Sequence, residues 1–345
     1  MTRVTVVSPE PTPYRAPLFD RIAARDDVEL TVVYAARTVA GRTWAVDFNH
    51  HARFLRGYRL PGVRRAVRHD YPVTLGAAGV LRETRPHVVV VSGWSTFASQ
   101  AAIAWCRARR VPYVLLVESH DLERRAGWRR AVKGAVVPRL VRGAASVLVV
   151  GSASRHSMIA HGALPERVRL FANTIDVDKW IARAQRLPPT PHDGVVVLSV
   201  GRAVHEKGFD VLERACATAA ARFEVITGGL SEDELARRYV DADVFALLSR
   251  HEPWGVVVNE AAASGLPLVL SDRVGAAYDL LRDGENGFLV PADDVPAAAE
   301  ALHKLAADPE LRRRMGERSR ELVRGWGYEP SVENFVAAVR EATSR

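Results

Sequence analysis

The chain has 345 residues, of which 48% are hydrophobic and 26% are charged. No stretch approaches the ~20 apolar residues of a membrane-spanning helix, and the first residues lack the apolar core of a secretion signal, so we expect a cytoplasmic protein. The net charge of +8 indicates contact with an anionic partner, but charge alone does not choose between nucleic acid, a phosphorylated substrate and an anionic membrane face.

Short runs rich in valine recur in the first half, and each is followed by a helical pattern. Continuous apolarity is typical of strands that are covered on both faces, so these runs predict a parallel sheet with helices on either side. The predicted strands are residues 4–8, 28–35, 87–92, 113–117 and 146–150.

A second series of such strands follows a proline-rich loop at 186–194, which we interpret as a linker between domains. Its predicted strands are residues 195–200, 223–227, 243–249, 267–271 and 287–290. From about residue 294 the pattern is helical. We therefore expect an α/β chain of two domains, 1–180 and 181–328, with a last helix over 329–345, and a ligand at the carboxyl ends of the strands, between the sheets.

Two cysteines, Cys106 and Cys216, lie in different predicted helices and match no metal-binding or redox spacing. We interpret both as small buried apolar residues. Neither a disulfide nor a metal site is expected.

Arg202 and Lys207 follow the strand at 195–200, where a new helix starts near Gly208. Two cations beside a helix N-terminus form a potential phosphate site, because the guanidinium, the ammonium and the free amides all attract an anion. The alternative is a pair of solvated surface cations.

Glu252 and Glu260 are separated by seven residues, and Trp254 and Gly255 lie between them. Glu252 is predicted on the loop after the strand at 243–249, and Glu260 a turn or more inside the next helix, so both could face one ligand. The alternative is an ordinary helix with an acidic start, which the helix dipole favours.

Together these segments resemble the retaining glycosyltransferases of family 4, the superfamily of glycogen synthases and phosphatidylinositol mannosyltransferases. The resemblance rests on Gly-Arg…Lys-Gly at 201–208, Glu and Glu at 252 and 260, Ala-Ser-Gly-Leu-Pro at 263–267 and Asp-Gly-Glu-Asn-Gly-Phe at 283–288. It implies the GT-B fold, with two facing Rossmann-like domains and a cleft between them. It also implies that the C-terminal helix packs back on the first domain.

By this resemblance the second domain binds a nucleoside diphosphate sugar without a metal ion or other cofactor. Arg202 and Lys207 would hold the diphosphate and stabilise the leaving group. Glu260 would accept hydrogen bonds from the ribose. Glu252, with the backbone of Trp254 and Gly255, would hold the transferred sugar.

The first domain would bind the acceptor, which could be a sugar, a lipid-linked sugar or a small natural product. His120 follows the strand at 113–117 and is expected at the cleft, where family members often carry a histidine near the reacting sugar. Glu118 and Asp121 could orient its ring or contact the acceptor. An isolated loop histidine is otherwise more often a surface residue.

The chain departs from the family pattern in two places. The glycine-rich loop after the first strand is absent, so any contact there must come from Thr12, Tyr14 or Arg15. The stretch between 225 and 244 is shorter than usual, which leaves open how the base is held.

Two basic stretches, 127–143 and 53–68, could lie on an anionic membrane, although ordinary amphipathic packing explains the first as well. We expect no nucleic-acid partner, because the usual recognition motifs are absent. The remaining alternatives are an epimerase or phosphorylase and a non-catalytic subunit that binds nucleotide sugars. A nicotinamide enzyme is disfavoured, since no G-x-G-x-x-G follows a predicted strand.

Overall fold

A computed structural model of the protein describes residues 1–38, 46–58, 72–122 and 127–344, without the side chains of 127–133. The strands of the first half are β1 (Thr2–Ser8), β2 (Val28–Tyr34), β3 (His51–Phe54), β4 (Arg56–Tyr58), β5 (Val73–Leu75), β6 (Val88–Ser92), β7 (Tyr113–Val117), β8 (Ser146–Val149) and β9 (Val168–Leu170). Its helices are α1 (Ala16–Ala23), α2 (Ala77–Thr84), α3 (Phe97–Arg109), α4 (Gly127–Gly143), α5 (Ser152–Ala160) and α6 (Val177–Arg186), with a 3₁₀ turn at Pro165–Arg167.

The second half has strands β10 (Val196–Val200), β11 (Arg222–Ile226), β12 (Val244–Leu247), β13 (Leu268–Ser271) and β14 (Gly287–Val290). Its helices are α7 (Phe209–Thr218), α8 (Glu232–Val240), α9 (Val256–Ser264), α10 (Ala277–Leu280), α11 (Val295–Ala307), α12 (Pro309–Val323) and α13 (Tyr328–Thr343), with 3₁₀ turns at His205–Lys207 and Arg324–Trp326.

Each half contains one parallel sheet, as the valine-rich runs predicted. The strand order is β3-β2-β1-β6-β7-β8-β9 in the first sheet and β11-β10-β12-β13-β14 in the second. Both faces of the first sheet are covered, because Val6 and Val7 are fully buried in different clusters on opposite faces. Strands β4 and β5 form a separate antiparallel pair. The predicted architecture of two α/β domains is confirmed.

Helix α6 belongs to the second domain, although the expected boundary at 180 and 181 falls inside it. Its Trp180 and Ile181 are buried in the same core as Val258 of α9. The helix is amphipathic, so its apolar face must be covered. The core of the second domain covers it. The chain therefore crosses between domains before Val177, and the proline-rich loop lies after the crossing.

Helix α13 returns to the first domain. Tyr328, Phe335 and Val339 are buried in one cluster with Val4 and Phe19. The second domain thus lies within the sequence of the first, and the carboxyl ends of both sheets meet at the contact between them.

Candidate functional site

The described halves of the chain touch through the loops that follow their parallel strands. The Nε2 of His120, after β7, lies 2.9 Å from the carbonyl oxygen of Glu252, after β12. Ser152 at the start of α5 donates to Asp279 of α10. Thr174, after β9, donates to the carbonyl of Trp326. The loops that carry the predicted residues therefore border one cleft.

Lys207 and Glu252 form an ion pair across the carboxyl end of the second sheet. Their side chains are only 16% and 14% exposed, so the pair is largely shielded from solvent. Arg202 is exposed on the same loop. The sequence predicted both cations at this edge, but not that a carboxylate would hold one of them.

The loop of Lys207 is fixed from both sides. Gly208 has φ +65, and a Cβ there would collide with the carbonyl oxygen of Leu248, so only glycine fits. Arg250 donates to the carbonyl of His205 at 2.7 Å and makes a bidentate contact with the Asp210 carboxylate at 2.8 and 2.7 Å. Sequence reasoning missed Arg250, although its place just after β12 marks it as a strand-end residue.

The segment from Glu252 to α9 turns sharply at Gly255, whose φ is +97. Gly255 is the N-cap of α9 and supplies no side-chain acceptor, so the first two amides of the helix remain available to a ligand, while the third, that of Val258, donates to the Gly255 carbonyl at 2.9 Å. The Trp254 side chain is 2% exposed, and its Nε1 donates to Asn259 at 3.0 Å. The ring is therefore engaged in the core, and the Trp254 carbonyl accepts from the Ala276 amide, which leaves the backbone amide of Trp254 as its group for a ligand.

Glu260 lies on α9, partly exposed. Its Oε2 accepts a hydrogen bond from the Tyr239 hydroxyl at 2.8 Å. The pKa of Glu260 is raised to about 7, chiefly by burial, with the Tyr239 hydrogen bond opposing the rise and the negative charge of nearby Glu232 adding to it. A carboxyl group with such a pKa is unusual away from a functional site.

His120 is fully buried at the contact between the domains. Its Nε2 faces the Glu252 carbonyl, and its Nδ1 lies 3.4 Å from the Leu122 amide. Burial lowers the pKa of His120, so the ring is neutral near pH 7. The tautomer that satisfies both contacts carries its proton on Nε2.

Arg15 is at the mouth of the first sheet and is 4% exposed. Its guanidinium contacts Glu118 Oε1 at 2.7 Å and Asn173 Oδ1 at 3.0 Å. Asn173 Nδ2 also donates to Glu118 Oε1, at 3.2 Å. The Glu118 side chain is 39% exposed. Arg15 is therefore engaged within the first domain, and it holds a carboxylate at the cleft.

Helix α4 is the predicted basic segment at 127–143. In the part whose side chains are described, Val137 and Val141 are buried and Arg139 is exposed, as in an amphipathic helix on a sheet. Of the other basic stretch, 53–68, the part from 59 onwards lies outside the described residues.

Two kinds of special site are not found within the described ranges. Among those residues, no helix is long and apolar enough to cross a membrane. In the same ranges, no group of three His, Cys, Asp or Glu is placed to hold a metal ion.

Two family models match the chain. The glycosyl transferase 4-like domain matches residues 3–174, and glycosyl transferases group 1 matches residues 224–322. The first match lies in the half that begins with β1, and the second covers the segment with Glu252 and Glu260.

The curated relatives are similar over part of their length. The lipopolysaccharide core biosynthesis glycosyltransferase LpsE of Rhizobium meliloti is 32% identical over 46% of this chain and 53% of its own length. The D-inositol 3-phosphate glycosyltransferase of Kribbella flavida is 29% identical over 59% of this chain and 58% of its own. The chain thus spans little more than half the length of these relatives.

Solved structures are similar over almost the whole chain, at low sequence identity. Sucrose-phosphate synthase from Thermosynechococcus elongatus has a TM-score of 0.75 and 17% identity and covers 100% of both chains. Anabaena Alr3699/HepE in complex with UDP and glucose has a TM-score of 0.69 and 16% identity and covers 98% of each. These matches establish the fold.

Proposed function

The chain belongs to the GT-B glycosyltransferases of family 4 and its relatives, and on that basis we propose that it moves a sugar from a nucleoside diphosphate sugar to an acceptor hydroxyl. We further propose that the anomeric configuration is retained and that no metal ion takes part. The observation that carries the proposal is the shielded pair of Lys207 and Glu252 beside the free N-terminus of α9.

The donor diphosphate would lie against Lys207 and Arg202. In this position the two cations stabilise the negative charge that develops on the leaving phosphate. They supply the positive charge that a metal ion would otherwise provide, which supports the proposal of metal independence. Lys207 would exchange Glu252 for phosphate oxygens, and the released carboxylate would accept hydrogen bonds from hydroxyls of the sugar.

We propose retention from the resemblance to family 4. Once Lys207 has turned to the phosphate, the released Glu252 carboxylate accepts hydrogen bonds from the sugar hydroxyls, which engages its oxygens in binding. We therefore assign Glu252 to sugar binding rather than to a covalent intermediate. The acceptor hydroxyl would attack from the face that the phosphate leaves, and the departing phosphate oxygen would take its proton.

The ribose would bind Glu260, and the acceptor would enter beside Glu118 and His120. His120, neutral and buried, would shape the pocket through its contact with the Glu252 carbonyl. A solved neighbour contains UDP, so we propose a uridine nucleotide as the first donor to test. The names of the relatives favour a sugar-containing or inositol-type acceptor.

The test is calorimetric binding of UDP, GDP, ADP and TDP and their sugar conjugates, in buffer with a chelator. Wild type is compared with Lys207→Ala and with Lys304→Ala. Lys304 is a matched control, because it pairs with Glu300 on the exposed face of α11. Tight metal-free binding of one nucleotide, lost only in Lys207→Ala, is the expected result.

Transfer itself is tested with the nucleotide sugar that binds. Release of nucleoside diphosphate that depends on an added sugar or inositol acceptor supports the proposal, and NMR of the product reports the anomeric configuration. Binding without any release, even with membrane extract as the acceptor source, would instead favour the non-catalytic subunit. Equal affinity in all three proteins would refute the donor site.

A further inference from the structure

Helix α5 of the first domain begins without a cap from its own sequence. Its N-cap is Gly151, which has no side chain to accept a hydrogen bond from the first amides of the helix. Such amides normally find an acceptor in a nearby Ser, Thr, Asp or Asn. Here the acceptor comes from the other domain.

Asp279 of α10 supplies that acceptor. Its Oδ2 accepts from the Ser152 backbone amide at 2.8 Å, and its Oδ1 accepts from the Ser152 hydroxyl at 2.5 Å. Asp279 is 8% exposed, and burial raises its pKa while the two Ser152 contacts oppose that change. A carboxylate at a helix N-terminus is also stabilised by the helix dipole. We call this contact the interdomain cap.

Gly151 makes room for the same contact. A Cβ at this position would collide with the Trp254 ring and crowd the Asp279 carboxylate. The backbone of Gly151 is extended, with φ −178, so its glycine character is explained by the lack of space and not by backbone strain. Gly151 therefore gives α5 no cap from its own sequence, and it leaves room for Trp254 and Asp279 of the second domain.

The interdomain cap lies beside the Glu252 loop, the segment that runs from Glu252 to the start of α9. Trp254, which contacts Gly151, is two residues from Glu252, whose carbonyl meets His120. Helix α10 is also tied to that loop, because Ala276 donates its amide to the Trp254 carbonyl at 3.0 Å. A shift of Asp279 away from Ser152 would therefore also displace the Glu252 loop.

From this geometry we propose that Asp279 and Ser152 are positioning residues for sugar transfer, which hold the acceptor domain against the Glu252 loop by capping α5 from across the cleft. In the proposed site neither residue is assigned a contact with donor or acceptor. The kinetic part of this inference rests on the proposed function, whereas its structural part does not.

The first experiment compares Asp279→Ala with Asp294→Ala in the full-length protein. Asp294 is a matched control, since it caps α11 within the second domain by accepting from Ala297 at 2.9 Å. Without any ligand, Asp279→Ala should increase the radius of gyration in X-ray scattering and speed hydrogen exchange at the Ser152 amide. Asp294→Ala should change neither.

The kinetic readout is a split between turnover and donor binding. Loss of a capping carboxylate changes an equilibrium by about fivefold to thirtyfold, so kcat of Asp279→Ala should fall by that factor. Affinity for the nucleoside diphosphate without its sugar should stay within about twofold, because its proposed ligands Arg202, Lys207 and Glu260 all lie within the second domain. Asp279→Asn retains an acceptor for the Ser152 amide and should recover most of the turnover.

Gly151→Ala tests the same contact from the opposite side. Its added methyl group should separate Asp279 from Ser152 and reproduce the scattering and kinetic changes, whereas Gly79→Ala, where a Cβ meets no atom within 4 Å, should not. Unchanged scattering and exchange in Asp279→Ala would overturn the inference, whatever reaction the protein catalyses. If Asp279→Ala opens the cleft but the wild-type protein transfers no sugar, the proposed function is overturned and the structural part of this inference stands.

Discussion

The pKa of Glu260, raised to about 7, makes donor binding depend on pH if this carboxylate receives the ribose hydroxyls. Hydrogen bonds from hydroxyls favour the ionised form, so Glu260 must lose its proton before or during binding. For a group of pKa about 7, the apparent Kd is multiplied by 1 + 10^(7−pH), which is about 1.1 at pH 8 and about 11 at pH 6. Affinity should therefore fall about tenfold, or ~1.4 kcal/mol, between these values.

The assay is calorimetric titration with a nucleotide sugar from pH 8 to pH 6. A nucleotide sugar is preferred to the free diphosphate, whose terminal phosphate titrates near pH 6. Glu260→Gln should remove most of the slope, so that its Kd changes little over the range. Tyr239→Phe removes the hydrogen bond that lowers the pKa of Glu260, and it should move the midpoint upwards. A wild-type affinity that is flat from pH 8 to pH 6, or a slope that persists in Glu260→Gln, would refute the assignment.

The same pKa predicts a cost in stability. A carboxyl group whose folded pKa lies above its unfolded value stabilises the fold at low pH, and that stability is lost as the pH rises from 4.5 through 7. The difference corresponds to at most about 3 kcal/mol. Glu260→Gln should therefore raise the free energy of unfolding of the unliganded protein at pH 8 and have little effect at pH 4.5.

Three further substitutions have defined expectations. Gly208→Ala should destabilise the fold by at least ~1 kcal/mol and weaken donor binding, because its Cβ meets the Leu248 carbonyl in a left-handed conformation; a thermal melt and a donor titration check both, and a melt equal to wild type would contradict the close approach. His120→Ala should reduce turnover far more than donor affinity, since the ring contacts the Glu252 loop; unchanged steady-state turnover would remove His120 from the mechanism. Phe335→Ala should cost about 3–5 kcal/mol in urea unfolding, because the ring is fully buried in the first domain; a loss below ~1 kcal/mol would mean that α13 packs only loosely.

Strands buried on both faces were predictable from the sequence, because their valine runs have no other ready explanation. The edges were not. Strand β3 alternates between exposed and partly buried residues, and β9 has only three residues, so neither produces a continuous apolar run. The expected boundary at 180 and 181 divided helix α6 between the two domains, because the helix pattern shows an apolar face but not which domain covers it.

In the site, too, features set by neighbouring residues could be predicted, whereas contacts between residues far apart in the sequence could not. The loops of Lys207 and Glu252 could be predicted at the cleft, because both follow predicted strands. The family models confirm the predicted membership of the chain in the GT-B glycosyltransferases. The partnership of these two residues, 45 positions apart, was not visible in the sequence. Neither was the contact of Asp279 with Ser152, which is 127 positions distant. Such pairs are set by how two domains meet, and no periodicity encodes that. The individual roles of the site residues remain predictions.

The return of α13 to the first domain gives the second domain two covalent tethers instead of one. The outgoing tether precedes α6 and the returning one precedes α13, and Thr174 at the first donates to the carbonyl of Trp326 at the second. A body held at two neighbouring points cannot twist freely and moves mainly by rotation about the line that joins them. Opening of the cleft should therefore follow a single swing, and a proteolytic cut at either tether would leave the second domain attached through the other.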